Sequence, residues 1–254
     1  MKKKTKYIPL VLIIVVSCLY FYKRVDDKTT LAIGDYIINF FKGEIPYVMT
    51  SKEKPFDIPA LWAFYIMYFA LIISWKISSF FTSEAYQKGI RLQSRKRVHM
   101  YHISSLFQET FAYWMLTYVI FLLFALCSNA RFVLPDSAIQ LRYSGINIST
   151  LNAQQLGIHL IILPFVILVS IAFLQYAITL LTSTIISFVL IAVLLVASAF
   201  YFHPLLFGNY LMLIRHEAFL SNGARWEMGS FISLIIIVIS FQFSYLNLRK
   251  KDLF

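Results

Sequence analysis

Charge is scarce in this 254-residue sequence: 14% of residues are Asp, Glu, Lys or Arg, against 59% hydrophobic and 17% aromatic. That excludes an ordinary soluble domain, which needs far more polar surface to cover a core of this size. Acids are scarcer still, 12 against 23 bases, which leaves a net charge of +11. This excess is no nucleic-acid signature, because the bases fall mostly in short segments beside apolar runs, the pattern that orients helices in a bilayer. Cysteine is nearly absent. Cys18 and Cys127 lie in apolar runs over a hundred positions apart, so they form neither a disulfide framework nor a metal site and read as lipid-facing or packing residues. No phosphate-binding G-x-x-x-x-G-K-[ST] loop and no HExxH occurs, and His216-Glu217 lacks a second histidine at helical spacing. His99 and His102 sit three apart in basic surroundings and read as solvated or headgroup-facing. No Ser/His/Asp arrangement can be picked out. The chain is expected to be no enzyme and to bind no metal or cofactor of its own.

What remains is apolar length. Runs at about 7–22, 59–80, 104–127, 158–179, 184–202 and 230–247 approach or exceed what a hydrocarbon core requires, and mean hydropathy is +0.72. The expectation is an all-α polytopic membrane protein, one transmembrane domain over 1–254 with six transmembrane helices. MKKKTK before the first run imitates a secretory signal, but YFYKRVDD follows without a small-x-small cleavage site, which predicts an uncleaved first helix. Between runs four and five there is no charge, Gly or Pro. A single helix over 158–202 would be about 68 Å long, so the chain must turn, and the polar TLLTST run is the place.

Six helices put both termini on one side. With the N-terminus in the cytoplasm, the inner segments hold 13 Lys and Arg in short stretches, and the outer ones spread 10 over long loops balanced by acids. The outer loop 23–58 contains LAIGDYIINFFK (31–42), with Tyr36, Ile37, Phe40 and Phe41 on one face and Asp35, Asn39 and Lys42 opposite. It reads either as an interfacial helix or as a plug packed over the bundle.

Two features bear on function. The segment about 81–103 carries a dense cluster of bases on the cytoplasmic side, with Glu84 as its one acid. Glu109 is the one intramembrane acid, placed one or two turns inside the third span. It either pairs with a base from the adjacent loop, lines a polar cavity or binds a coupling proton. With no other ionisable group at depth, a proton- or sodium-driven carrier is disfavoured. The third span is crowded by Phe111, Tyr113, Trp114, Tyr118 and Phe121; Phe111, Trp114 and Tyr118 are candidates for a substrate path, or simply for helix packing.

The stretch FTSEAYQKGIRLQSRKRVHMYHIS resembles the region between spans two and three of ABC-2 type permeases, with Glu84, Gly89, Arg91, Ser94 and Arg95 at the matching positions. FGNYLMLIR after span five, Trp226 opening span six and the closing YLNLRKKDLF add to the likeness, which covers the whole chain. Where the family has aromatic and Lys residues after the basic stretch, this chain reads VHMYHIS. The nearest flavour is the permease group beside bacteriocin and lantibiotic genes, serving export or immunity. The resemblance implies a type V exporter-like architecture in the bacterial cytoplasmic membrane. It implies a second permease, in a homo- or heterodimer, and separate ABC ATPase subunits that bind ATP and Mg. No nucleic acid is expected. The coupling residues would be Glu84, Gly89, Arg91, Ser94, Arg95, Lys96 and Arg97, docking a short helix onto the ATPase and displacing spans two and three. The cargo would be amphipathic or peptide-like, such as an antimicrobial peptide. The alternative is a non-transporting membrane protein that binds such a peptide.

Overall fold

A computed structural model describes residues 5–26, 28, 31–47, 58–82, 94–220 and 222–250. These residues form helices joined by turns and irregular links, without a strand; two isolated bridges join Ala32 to Arg131 and His216 to Ala224. Seven main helices follow in order: α1 Ile8–Arg24, α2 Ile33–Phe41, α3 Ala60–Ser78, α4 Arg95–Cys127, α5 Leu163–Leu181, α6 Thr184–Phe200 and α7 Trp226–Lys250. Among them, four stretches are long and apolar enough to cross a membrane: Ala60–Phe81, Arg95–Cys127, Ala153–Leu181 and Trp226–Arg249. The chain is a membrane protein on that ground. α1 and α6 have 17 residues each, about 26 Å against a core of about 30 Å.

Side-chain pairs give the directions. Tyr7 meets Glu109 and Tyr22 meets Phe124, so α1 runs parallel to α4. α3 opposes α4, with Tyr65 against Tyr113 and Phe80 against His102. α5 and α7 also oppose it, through Phe165 with Phe111 and Ser244 with His99. α4 and α6 therefore run from a basic end, where Arg95 and Arg249 meet, toward a cap end formed by α2 and the segments 128–162 and 201–225, and α1 runs the same way from the middle of α4. α5 is the surrounded helix: Ile167, Leu168, Ile171, Ala172 and Tyr176 are fully buried. In lipid, apolar burial does not by itself select helix partners, so polar links fix the arrangement. Gln175 Nε2 donates to Ala70 O at 3.1 Å and to Ser74 Oγ at 2.5 Å, tying α5 to α3. Thr179 and Ser187 hydroxyls lie 2.7 Å apart across the α5–α6 hairpin. Its turn is at Thr182 and Ser183, where Ser183 Oγ caps α6 by accepting from Ile186 N.

α4 begins well before the expected apolar run at 104. RKRVHMYHIS contains no Gly or Pro, and Val98, His102, Leu106 and Thr110 recur at helical spacing on the buried side. The helix ends with Asn129 in the left-handed region (φ 53°), where Ala130 N reaches Ala125 O and Asn129 N reaches Leu126 O. Directly after it, Arg131 exchanges two backbone hydrogen bonds with Leu31 and Ile33, which stitches the tip of α4 to the start of α2.

α2 is packed against the bundle, with Tyr36, Ile38, Phe40 and Phe41 buried. The face assigned as polar is the surprise, because Asp35 is fully buried. Of the two readings of this segment, the packed plug describes the structure. Gly34 is required here, since a Cβ would lie 2.5 Å from Pro135. Gly43 follows at φ +71°, hard against Met212, where a side chain would be both strained and blocked. Cys18 is buried among packing side chains, and Cys127 is exposed.

Candidate functional site

Of the seven coupling candidates, Glu84, Gly89 and Arg91 lie outside the described residues. The other four are placed together at the start of α4. Ser94 is its N-cap, with no side-chain hydrogen bond to the helix, and Arg95, Lys96 and Arg97 fill the first turn, which carries no acid. This start runs against helix electrostatics: three cations face the positive end of the peptide dipoles, and among the described residues no anion or side-chain cap offsets them. Arg95 finds compensation at the negative end of α7, donating to Arg249 O. Lys96 and Arg97 are exposed and have no ion-pair partner among the described residues. The arrangement therefore presents two cations at the start of α4 to an anion from outside.

Below that surface the basic end is held by neutral groups. The His99 ring nitrogen Nε2 lies 2.8 Å from Ser244 Oγ, and His102 Nδ1 lies 2.8 Å from Tyr176 OH. Phe80 stacks flat on His102, with ring centroids 4.2 Å apart. Both histidines are buried and join α4 to α5 and α7. The expectation of solvated or headgroup-facing rings is corrected, because the extended α4 turns them inward.

Glu109 stands about 21 Å along α4 from Arg95. Its partners among the described residues come from the N-terminal segment. Lys6 Nζ donates to Oε1, and Tyr7 OH donates to the same oxygen at 2.6 Å. Tyr68 OH, midway along α3, donates to Lys6 O. The N-terminal segment thus joins α3 to the Glu109 carboxylate near the middle of α4, and α1 starts there.

Phe111, Trp114 and Tyr118 lie along one side of α4 and meet Phe165 and the π-helical stretch Ile158–Ile162. Trp114 Nε1 donates to Ile161 O at 3.1 Å and Tyr118 OH to Leu160 O, so the row supplies donors to carbonyls of that stretch. Phe111 is 45% exposed, and none of the three lines either cleft at the cap end.

The cap end is organised around two buried ions, Arg215, which the sequence reading did not single out, and Asp35, which it placed on a polar face. Arg215 is fully buried without a carboxylate partner of its own. Nε donates to Glu44 O at 2.8 Å, Nη2 to Ala199 O at 2.6 Å, and Nη1 to Ser198 O, Tyr201 O and Asn209 Oδ1. The guanidinium thus collects the last carbonyls of α6 and clamps them to the irregular 42–44 segment that follows α2. Burial lowers it to about 10, opposed by Glu44, so it stays charged at neutral pH. Asp35 plays the opposite part. Its carboxylate accepts from Ala32 N at 2.8 Å, Asp136 N at 3.1 Å and Gln140 Nε2 at 2.8 Å. Burial pushes it above its ordinary range, and those three donors pull it back. The only sequence signal for Arg215 was a lone base in FGNYLMLIR, an otherwise apolar segment.

Beside Arg215, His159 and His216 meet edge to face at 5.2 Å. Both nitrogens of His159 lack a hydrogen-bond partner, while His216 Nδ1 accepts from Ala218 N. Among the described residues no three His, Cys, Asp or Glu side chains group closely enough to hold a metal. In comparisons with family models, curated proteins and solved structures, the chain matches none.

Proposed function

We propose that this chain is the membrane-spanning permease subunit of an ATP-binding cassette transporter in a bacterial cytoplasmic membrane. It has six spans, both termini inside, and moves an amphipathic or peptide-like cargo. A separate ATPase binds ATP and Mg, and a second permease, identical or not, completes the path. The observation that carries this reading is α4, one unbroken 33-residue helix, about 50 Å long. At one end it exposes Lys96 and Arg97 on an uncapped, anion-seeking turn; at the other it is stitched to α2 and the cap. A rod of that kind carries a displacement at the basic end to the opposite face without an intervening joint. The charge count along the sequence favours the basic end as cytoplasmic. There the loose cations meet an acidic docking groove or anionic headgroups, at about 1 kcal/mol per charge near such a surface.

The test is purification of the tagged chain from its native membranes in mild detergent, followed by assay of ATP hydrolysis in the eluate. Hydrolysis should accompany the wild type and be lost with Lys96→Glu/Arg97→Glu while the helical content is unchanged. An eluate without hydrolysis, or one indifferent to the charge reversal, sinks the proposal.

One observation favours the non-transporting, peptide-binding reading. An apolar cleft of about 410 Å³ opens at the cap end between α2, residues 132–135 and residues 156–161. If Gly157→Trp abolishes peptide capture in membranes whose ATPase has been inactivated, binding alone accounts for the protein. If capture requires a working ATPase, it does not.

A further inference from the structure

A second cleft at the cap end has the opposite character. It measures about 440 Å³ and lies between the end of α1, the end of α2 and the start of α3. Arg24 and Lys42 line it, with Asn39, Tyr20, Trp62 and one acid, Glu44. Among the described residues neither Arg24 nor Lys42 is within ion-pair distance of an acid.

The backbone adds to this positive character. The cleft floor is the first turn of α3, whose N-cap is Pro59 and makes no side-chain cap. Ala60 N turns back to Ile58 O and Ala63 N to Pro59 O. A 19-residue helix adds about half a positive charge at that point. Trp62 is 2% exposed and closes the floor of the cleft with its ring.

The surroundings decide what carries the anion. From the cleft, Leu12, Val16 and Tyr20 descend α1 at four-residue spacing, each exposed, and Phe64 stands exposed on α3, which packs beside α1. An apolar stripe leading out of a cationic cleft fits one molecule with an anionic head and an acyl tail.

We propose that this cleft binds the phosphate headgroup of an anionic phospholipid, with Arg24 and Lys42 as donors and the α1 stripe against its acyl chain. Glu44 disfavours a doubly charged free phosphate and is compatible with a singly charged diester. The inference rests on the membrane reading alone and makes no use of an ATPase.

The experiment is thermal unfolding of the purified chain in neutral detergent micelles doped with phosphatidylglycerol, phosphatidylcholine or soluble glycerol phosphate. Phosphatidylglycerol should stabilise the wild type at roughly tenfold lower mole fraction than phosphatidylcholine, as two charge-assisted contacts require. Glycerol phosphate should do nothing. Arg24→Gln/Lys42→Gln should erase the difference. Lys23→Gln, next in sequence but outside the cleft, should leave it unchanged, and its unfolding without lipid controls for general charge loss. Equal response to both lipids, stabilisation by glycerol phosphate alone, or a full response in the double variant would each overturn the proposal. None of these results bears on whether ATP hydrolysis co-purifies.

Discussion

The two ends of this bundle are held together by different chemistry. At the basic end, the buried contacts are neutral (histidine to serine, histidine to tyrosine, phenylalanine on imidazole) while the cations sit loose at the surface. At the cap end, single buried ions are satisfied largely by backbone: Arg215 by carbonyls of α6 and Glu44, Asp35 by N–H groups of Ala32 and Asp136. A neutral side-chain pair can be exchanged or slipped at modest cost. An ion whose partners are main-chain groups cannot be moved without unmaking the local fold. The basic end is thus the internally adaptable one, and the cap keeps its own shape and moves as a unit.

The largest break in that comparison should come from Arg215→Met, which removes the clamp and leaves four carbonyls without their donor. About 4 kcal/mol of stability should be lost. Hydrogen exchange should rise across 198–216 and leave 95–106 unchanged; a uniform rise would mean that the ends are not separate. Next, Asp35→Ala strands two N–H groups and an amide, at about 3 kcal/mol, and should free α2 from 131–140, seen as new protease cleavage near residue 135. At the basic end the counterpart is His102→Phe, which keeps the stack on Phe80 and abandons only Tyr176 OH. It should cost about 1 kcal/mol, and a loss as large as that of Asp35→Ala would erase the contrast. The smallest effect is in pH. Burial lowers His216 from its ordinary 6.5, while Glu217 and Glu227 pull it upward, and His159 is the ring against it. The folded chain therefore holds fewer protons than the unfolded one, so its contribution is complete above about 6.5 and fades as pH falls below. The melting midpoint should drop between pH 7 and pH 5, and His216→Phe should flatten that slope.

The helices were legible because lipid demands long apolar runs, and those are visible without context. Their ends were less so. The start of α4 at Arg95 was hidden because charge in RKRVHMYHIS masks a buried row at helical spacing, and with that start went the inward turn of His99 and His102. Asp35 was assigned to a polar face by side-chain type, yet its partners are chiefly main-chain N–H groups, which leave no trace in a pattern of residues. Arg215 escaped for the same reason. The pairing of Glu109 with a base was foreseen as one of three options, but its source in the N-terminal segment follows from α1 starting at mid-height, which depends on tertiary register.

That register has a mechanical consequence. α4 is bolted near its middle, where Lys6, Tyr7 and Tyr68 gather on and around Glu109. If that bolt is a fulcrum, the arms are about 21 Å toward Arg95 and about 27 Å toward Cys127. A rigid helix rocking there moves its two ends in opposite senses, with the cap-side stroke larger by roughly a third. A push at the cations would then arrive at the far face reversed and slightly amplified, and Glu109→Gln would unpin the rocker without touching either end.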